Sequence, residues 1–259
     1  MPDQLLIENL MDKAWPACER QEEGEWVFRA SHGVTQRANS VWPRIPSNAG
    51  DEKDTLAAVR SASDWYGRRR LPLIFQIFDD ARSAGLNAVL DGQRFTRQSE
   101  TRIMVRDVRG LPTNTVARRV EMSPEPSEEW LRLWWSVDGR GGEAELDVAR
   151  RILAGCESVY ALVRDDDGVP AAVGRLALVD GWGGIYSMAT SAGHRRRGYG
   201  TRLLAALLNE GASRGLFGFW LLVTASNAAA QALYSRAGFT DHGGYLYRQA
   251  PLRRAPHGC

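Results

Sequence analysis

The sequence predicts an α/β fold built in two parts, and three observations carry that expectation. Short apolar runs rich in β-branched and aromatic residues alternate with amphipathic helical stretches through both halves of the chain. The order strand–helix–strand–helix–strand occurs twice at similar spacing, an internal structural repeat with little residue identity. Between the two copies lies Glu121-Met122-Ser123-Pro124-Glu125-Pro126-Ser127, where two prolines argue for a linker. A chain of 259 residues is long enough for two compact domains, and the expected division is 1–120 and 121–259.

In the first half, Trp26–Ala30 and Thr35–Trp42 read as adjacent strands joined by a turn at His32-Gly33. Asp54–Arg68 reads as a helix with Leu56, Val59 and Trp65 on its inner side. Leu73–Phe78 reads as a buried strand, Ala81–Leu90 as a short helix and Glu100–Val108 as a closing strand. The second half opens on a helix capped by Ser127 and carrying Trp130, Leu131, Trp134 and Trp135. Strand Gly183–Thr190, helix Tyr199–Arg214, strand Phe217–Thr224, helix Ala228–Arg236 and strand Tyr245–Arg248 follow.

Composition narrows the function classes. The chain is 44% hydrophobic and 25% charged with a net charge of +2, typical of a globular protein and without the basic stripe of a nucleic-acid surface. Arg68-Arg69-Arg70 reads as a solvated helix end. Three cysteines (Cys18, Cys156, Cys259) and four histidines (32, 194, 242, 257) show neither metal-ligand nor disulfide spacing, so no metal is expected. The first twenty residues lack a signal-peptide core, and no apolar run is long enough for a membrane span, which leads us to expect a cytoplasmic protein without a membrane partner.

The chemistry is concentrated at Arg195-Arg196-Arg197-Gly198-Tyr199-Gly200, between an apolar strand and a helix with Leu203, Leu204, Leu207 and Leu208 on one face. Free amides at a helix N-terminus and the helix dipole favour an anion, above all a pyrophosphate, and glycines let it approach the backbone. A later segment reads Asn227-Ala228-Ala229-Ala230-Gln231-Ala232-Leu233-Tyr234-Ser235-Arg236-Ala237-Gly238-Phe239. The pair Arg-x-x-Gly-x-Gly after a strand and Asn-x-x-Ala-x-x-Leu-Tyr-x-x-x-Gly-Phe after the next strand resembles the GNAT superfamily of acyl-CoA-dependent acetyltransferases, over about Glu121 to Arg248. Arg37-Ala38-Asn39-Ser40-Val41-Trp42-Pro43 and Asp241–Arg248 are similar to the opening and ending of a tandem-GNAT group found mainly in actinobacteria.

That resemblance implies two tandem GNAT-like domains, with mixed central sheets flanked by helices and the second domain active. It implies acetyl-CoA as cofactor and acyl transfer to an amine. The first domain would wall the acceptor pocket without binding cofactor, because Pro46–Glu52 puts acidic residues where the phosphate turn belongs. Arg195, Arg196, Arg197, Gly198, Tyr199, Gly200 and Thr201 would bind the pyrophosphate. Met188, Ala189 and Thr190 would face pantetheine and thioester, with Asn227 and Ala230 on the pantetheine arm. Tyr234 would both contact the cofactor and protonate the leaving thiolate; its alternative is packing beneath the loop. The acceptor-pocket candidates are Arg37, Asn39, Trp130, Trp134 and Tyr186, against the alternatives of a fixed hairpin for Arg37 and Asn39 and core packing for the tryptophans.

No acidic residue stands on the two central strands to serve as general base. Asp180, in a natural turn, and His242 are candidates, Ser187 and Tyr186 could order a water chain, and an amine of lowered pKa could lose its proton to bulk water. The expected function is acetylation of a primary amine on a small molecule by a monomer or homodimer. The rivals are a protein N-terminal or lysine acetyltransferase and a non-catalytic acyl-CoA sensor.

Overall fold

The computed structural model describes residues 2–44, 52–111 and 120–251. The chain runs α1 (Gln4–Ala14), β1 (Glu19–Glu23), β2 (Trp26–Ala30), β3 (Trp42–Pro43), α2 (Glu52–Arg68), β4 (Ile74–Phe78), α3 (Ala84–Gly92) and β5 (Thr96–Asp107). It continues β6 (Val120–Ser123), α4 (Glu128–Asp138), α5 (Glu143–Ala154), β7 (Ser158–Arg164), β8 (Pro170–Val179), β9 (Trp182–Thr190), α6 (Tyr199–Ser213), β10 (Gly218–Thr224), α7 (Ala228–Arg236) and β11 (Thr240–Gln249). This is the mixed α/β architecture the sequence predicts. Contacts group the chain into unit 1, Met1–Pro16 with Arg102–His242, and unit 2, Ala17–Thr101 with Gly243–Cys259. These borders differ from a division at residue 120, because β5 and β11 each begin in one unit and end in the other.

In unit 1, β10 lies parallel to β9, and β9, β8, β7 and β6 continue in antiparallel pairs. The expected linker Glu121–Ser127 is half strand: Glu121 pairs with Leu162 and Ser123 with Tyr160, so the backbone bonds of the segment are made in the sheet before its prolines. Ser127 then caps α4 by accepting from the Trp130 amide at 3.1 Å, as its position before an apolar run indicates. α6 buries Leu203, Leu204, Leu207 and Leu208 against Ile185, Phe219 and Leu221. Each such side chain contributes roughly 1.5–3 kcal/mol relative to exposure. Gly211 has no room for a side chain, since a Cβ there would stand 2.4 Å from the Phe219 ring. The first residues form α1, an element the sequence analysis does not predict. Asp3 caps it by accepting from the Leu6 amide at 2.7 Å, and Ile7, Leu10, Met11 and Ala14 are its buried stripe.

Unit 2 carries the three-stranded antiparallel sheet β1-β2-β3 and the antiparallel pair β4–β11, in register from Tyr245↔Phe78 to Gln249↔Ile74. Phe28, Trp65, Tyr66, Phe75 and Leu90 form its core with α2 and α3. The expected strand Thr35–Trp42 is not one; only Trp42 and Pro43 pair with β2. Asn39 explains the difference. Its carboxamide oxygen accepts from the Ser31 and Gly33 amides at 2.8 and 2.9 Å, and its nitrogen donates to the Val34 and Thr35 carbonyls at 2.7 and 2.8 Å. The backbone groups that a strand ladder needs are therefore taken by a side chain. Of the segment Pro46–Glu52, expected to stand in place of a phosphate loop, all but Glu52 lies outside the described residues. Among the described residues no helix is long and apolar enough to cross a membrane, and no group of three or more His, Cys, Asp or Glu is placed to hold a metal.

Candidate active site

Two features set the second half of β9 apart from the rest of the sheet in unit 1. Its parallel pairing with β10 ends at Ile185↔Leu221, although β9 runs on to Thr190 and β10 to Thr224. Among the described residues, no residue pair with β10 continues along Ser187–Thr190. On the other flank the register with β8 slips: Tyr186 faces Arg175 and Ala189 faces Val173, leaving Ser187 and Met188 opposite Gly174. Ser187 takes a φ of 53°, so this is a bulge that bends the strand and re-aims its amides. Gly174 accommodates it, since a Cβ there would stand 2.7 Å from the Met188 sulfur.

The phosphate loop follows directly. Arg196 (φ 65°) and Gly198 (φ 83°) are both left-handed, which turns successive amides toward one side before α6 begins. The amides of Arg196 through Thr201 find no acceptor among the described residues; the next one, Arg202, donates to the Gly198 carbonyl at 3.0 Å. Arg195, Arg196 and Arg197 are exposed. No side chain crowds the turn, since a Cβ on Gly198 would meet nothing within 4 Å.

Asn227 caps α7, its side-chain oxygen accepting from the Ala230 amide at 3.1 Å. Tyr234, on the same helix, is 7% exposed and packs edge-on against Phe239 with ring centroids 6.1 Å apart. Burial, with a smaller push from the Asp138 charge, moves its phenol up to about 12, so it keeps its proton throughout the physiological range.

The structure separates the other predicted residues. Tyr186 stacks on Trp15 (5.7 Å, 20°) and accepts from the Trp220 indole at 3.1 Å, while Trp134 lies edge-on to Trp15 at 6.3 Å. Trp130 is a core residue rather than a pocket wall: it is 1% exposed and its indole donates to the Ala161 and Gly174 carbonyls at 3.1 and 3.2 Å. Asp180 sits in the turn before β9, at the end opposite Thr190 and the phosphate loop, paired with Lys13 at 2.7 Å. Ser187 has a buried hydroxyl oxygen without a partner among the described residues, as has Nε2 of His242, whose pKa burial lowers. Arg37 and Asn39 belong to unit 2.

Sequence reading missed Asp138, the last residue of α4. Its side chain is exposed at the surface, and the protein atoms around it push its carboxyl pKa up against the opposing pull of the Trp134 indole and the charges of Arg140 and Arg195. Its charge is felt at the Tyr234 phenol, and the charge of Arg195 is felt at its own carboxyl. The spacing Trp134…Asp138, one helical turn, was its only sequence signal.

Residues 6–248 match the family model described as "Probable histone acetyltransferase Rv0428c C-terminal". The chain belongs to this acetyltransferase family, within the GNAT superfamily. It is 28% identical over 253 residues to the "Uncharacterized N-acetyltransferase YobR" of Bacillus subtilis (strain 168), covering 96% of this chain and 99% of that one. It is 29% identical over 235 residues to the "Probable histone acetyltransferase Rv0428c" of Mycobacterium tuberculosis, covering 88% of this chain and 68% of that one. The fold is shared with a GCN5-related N-acetyltransferase from Kribbella flavida (TM-score 0.74, 19% identity, 98% and 97% covered). It is also shared with a tandem GNAT protein from the clavulanic acid biosynthesis pathway (TM-score 0.64, 14% identity, 83% and 76% covered). The protein is accordingly an acyl-CoA-dependent N-acetyltransferase, of a superfamily that uses acetyl-CoA.

Proposed function

We propose that the chain transfers the acetyl group of acetyl-CoA to a primary amine of a small molecule. The observation that carries the cofactor half is the row of unpaired amides from Arg196 to Thr201 beyond the end of the β9–β10 pairing. The pyrophosphate would take those amides, with Arg195, Arg196 and Arg197 adding charge. Pantetheine would run along Met188, Ala189 and Thr190 as an added strand, with Asn227 and Ala230 at its side. An amide at the bulge would donate to the thioester oxygen as negative charge develops there. Tyr234, which holds its proton, would donate to the departing sulfur.

Asp138 supports the missing base better than Asp180, which is engaged with Lys13 at the far end of β9. A carboxyl of raised pKa is a stronger base once ionised, and kcat/KM would climb with pH through that raised pKa. The small-molecule acceptor rests on the near-neutral charge of the chain and on the aromatic group Trp15, Trp134 and Tyr186. The family description favours a second acceptor class, protein amines. So does a 57-residue match, 44% identical, to a "[Ribosomal protein bS18]-alanine N-acetyltransferase" of Salmonella typhimurium.

Thiol release from acetyl-CoA with a panel of primary amines, N-terminal peptides and lysine peptides decides among these. The proposal expects the highest kcat/KM with a small amine. Preference for peptides replaces it with the protein-acceptor reading, and cofactor binding without turnover of any amine replaces it with a sensor.

A further inference from the structure

Ser191, His194 and Asp165 form a hydrogen-bonded relay at the foot of the phosphate loop. Ser191 Oγ lies 2.6 Å from His194 Nδ1, and His194 Nε2 lies 2.9 Å from Asp165 Oδ2. The other oxygen of Asp165 accepts from the Asp167 and Val169 amides at 3.0 and 2.8 Å, so this carboxylate is fixed by the turn between β7 and β8. The imidazole packs edge-on against Tyr199, the first residue of α6, with centroids 5.4 Å apart. A parallel tie runs nearby, where Arg202 donates to the Arg164 carbonyl at 2.9 Å and its guanidinium stands 5.0 Å over the Tyr199 ring.

The His194 and Asp165 side chains are each 16% exposed, against 58% and 52% for Lys13 and Asp180. A pair so enclosed is little screened, whereas an exposed pair contributes next to nothing. Both ring nitrogens are held: the Asp165 carboxylate can only accept, so Nε2 donates to it, and Nδ1 of the neutral ring accepts from the Ser191 hydroxyl.

We infer that His194 is a positioning residue that fastens the near flank of the phosphate loop to the β7–β8 turn and so presets the amides of Arg196–Thr201 for an anionic ligand. The left-handed turn at Arg196 and Gly198 is preceded by only a long bond, from the Arg195 amide to the Ala192 carbonyl at 3.5 Å, and His194 anchors the chain at the entry to that turn. This rests on the pyrophosphate reading of the loop.

The test compares wild type with His194→Phe, which keeps a ring against Tyr199 and loses both hydrogen bonds, and with Asp165→Asn. Binding of CoA and of pantetheine, which lacks the pyrophosphate, is measured by calorimetry, and KM and kcat by thiol release. We expect His194→Phe to weaken CoA about tenfold and raise KM for acetyl-CoA by the same factor. Pantetheine affinity and kcat should stay within about twofold, because only a preset of phosphate-binding groups is lost. Asp165→Asn should stay near wild type, since the imidazole can change tautomer and accept from the amide. Should the Phe variant not fold, His194→Gln, which can still donate to Asp165, is measured the same way and should show a smaller rise in KM. Unchanged CoA affinity in His194→Phe, or in His194→Gln combined with Asp165→Ala where the Phe variant does not fold, overturns the inference, as does an equal loss of pantetheine binding. So does hydrolysis of acetyl-CoA that disappears in Ser191→Ala, because the relay would then activate a nucleophile. A wild-type protein that binds pantetheine as tightly as CoA refutes the pyrophosphate reading itself.

Discussion

Two loops of this protein use backbone amides in opposite ways. In unit 2 the segment Ser31–Val41 satisfies itself: Asn39 takes two amides and two carbonyls, Val34 donates to the Ser31 carbonyl and Val41 donates to that of Ile74. In unit 1 the segment Arg196–Thr201 leaves six consecutive amides without an acceptor among the described residues. The first loop has a buried organiser, Asn39, 2% exposed. The second has exposed arginines, two left-handed residues and an open side. Buried polar groups must be paired inside the fold, whereas unpaired donors persist only where solvent or a ligand reaches them. A loop of the first kind holds the protein together; one of the second kind is suited to hold something else.

The largest expected effect tests the self-satisfied loop. Asn39→Ala strips four hydrogen bonds at once and should lower stability by about 3 kcal/mol in urea denaturation of the full chain. The acetyl-CoA affinity of the folded fraction should not change. A variant of normal stability with impaired acceptor KM would return Asn39 to the acceptor site and erase the contrast.

Tyr234 extends the comparison to a side chain with an uncommitted donor. Tyr234→Phe should lower kcat by roughly a hundredfold with little change in KM for acetyl-CoA, because the ring still packs on Phe239 and only a transition-state interaction is lost. Wild-type kcat, with chemistry limiting, would leave Tyr234 a packing residue.

The open loop is broken by charge. Gly198→Asp should weaken acetyl-CoA by about 2 kcal/mol, roughly thirtyfold in Kd by calorimetry. Aspartate tolerates the left-handed backbone better than most residues, so Gly198→Ala, expected to lose about 1 kcal/mol, reports the strain alone. Equal affinities for the three proteins would remove the loop from the cofactor site.

The smallest effect is expected at Asp180. Its pair with Lys13 is half exposed on both sides, and Asp180→Asn should change kcat/KM by less than about twofold and stability by under about 1 kcal/mol. A large drop in kcat with a lost acid limb would make it the base after all.

The sequence by itself determined the parts whose signals are local. The Leu203–Leu208 stripe, the Ser127 and Asn227 caps and the glycine-and-arginine turn each depend on neighbours within a few residues, and each is found where the sequence puts it. The stripe of α1 was equally local and was overlooked because its four apolar positions stand among acidic ones. Tertiary structure decided the rest. The loss of a strand at Thr35–Val41 depends on four bonds from one side chain, and the indole of Trp130 is committed to two carbonyls 31 and 44 residues away. The tie between His194 and Asp165 spans 29 residues, and the units exchange strands that no composition shift marks. Helix periodicity and caps are written in sequence at short range, whereas hydrogen-bond partners and pKa shifts arise only when folding removes water from groups far apart in the chain.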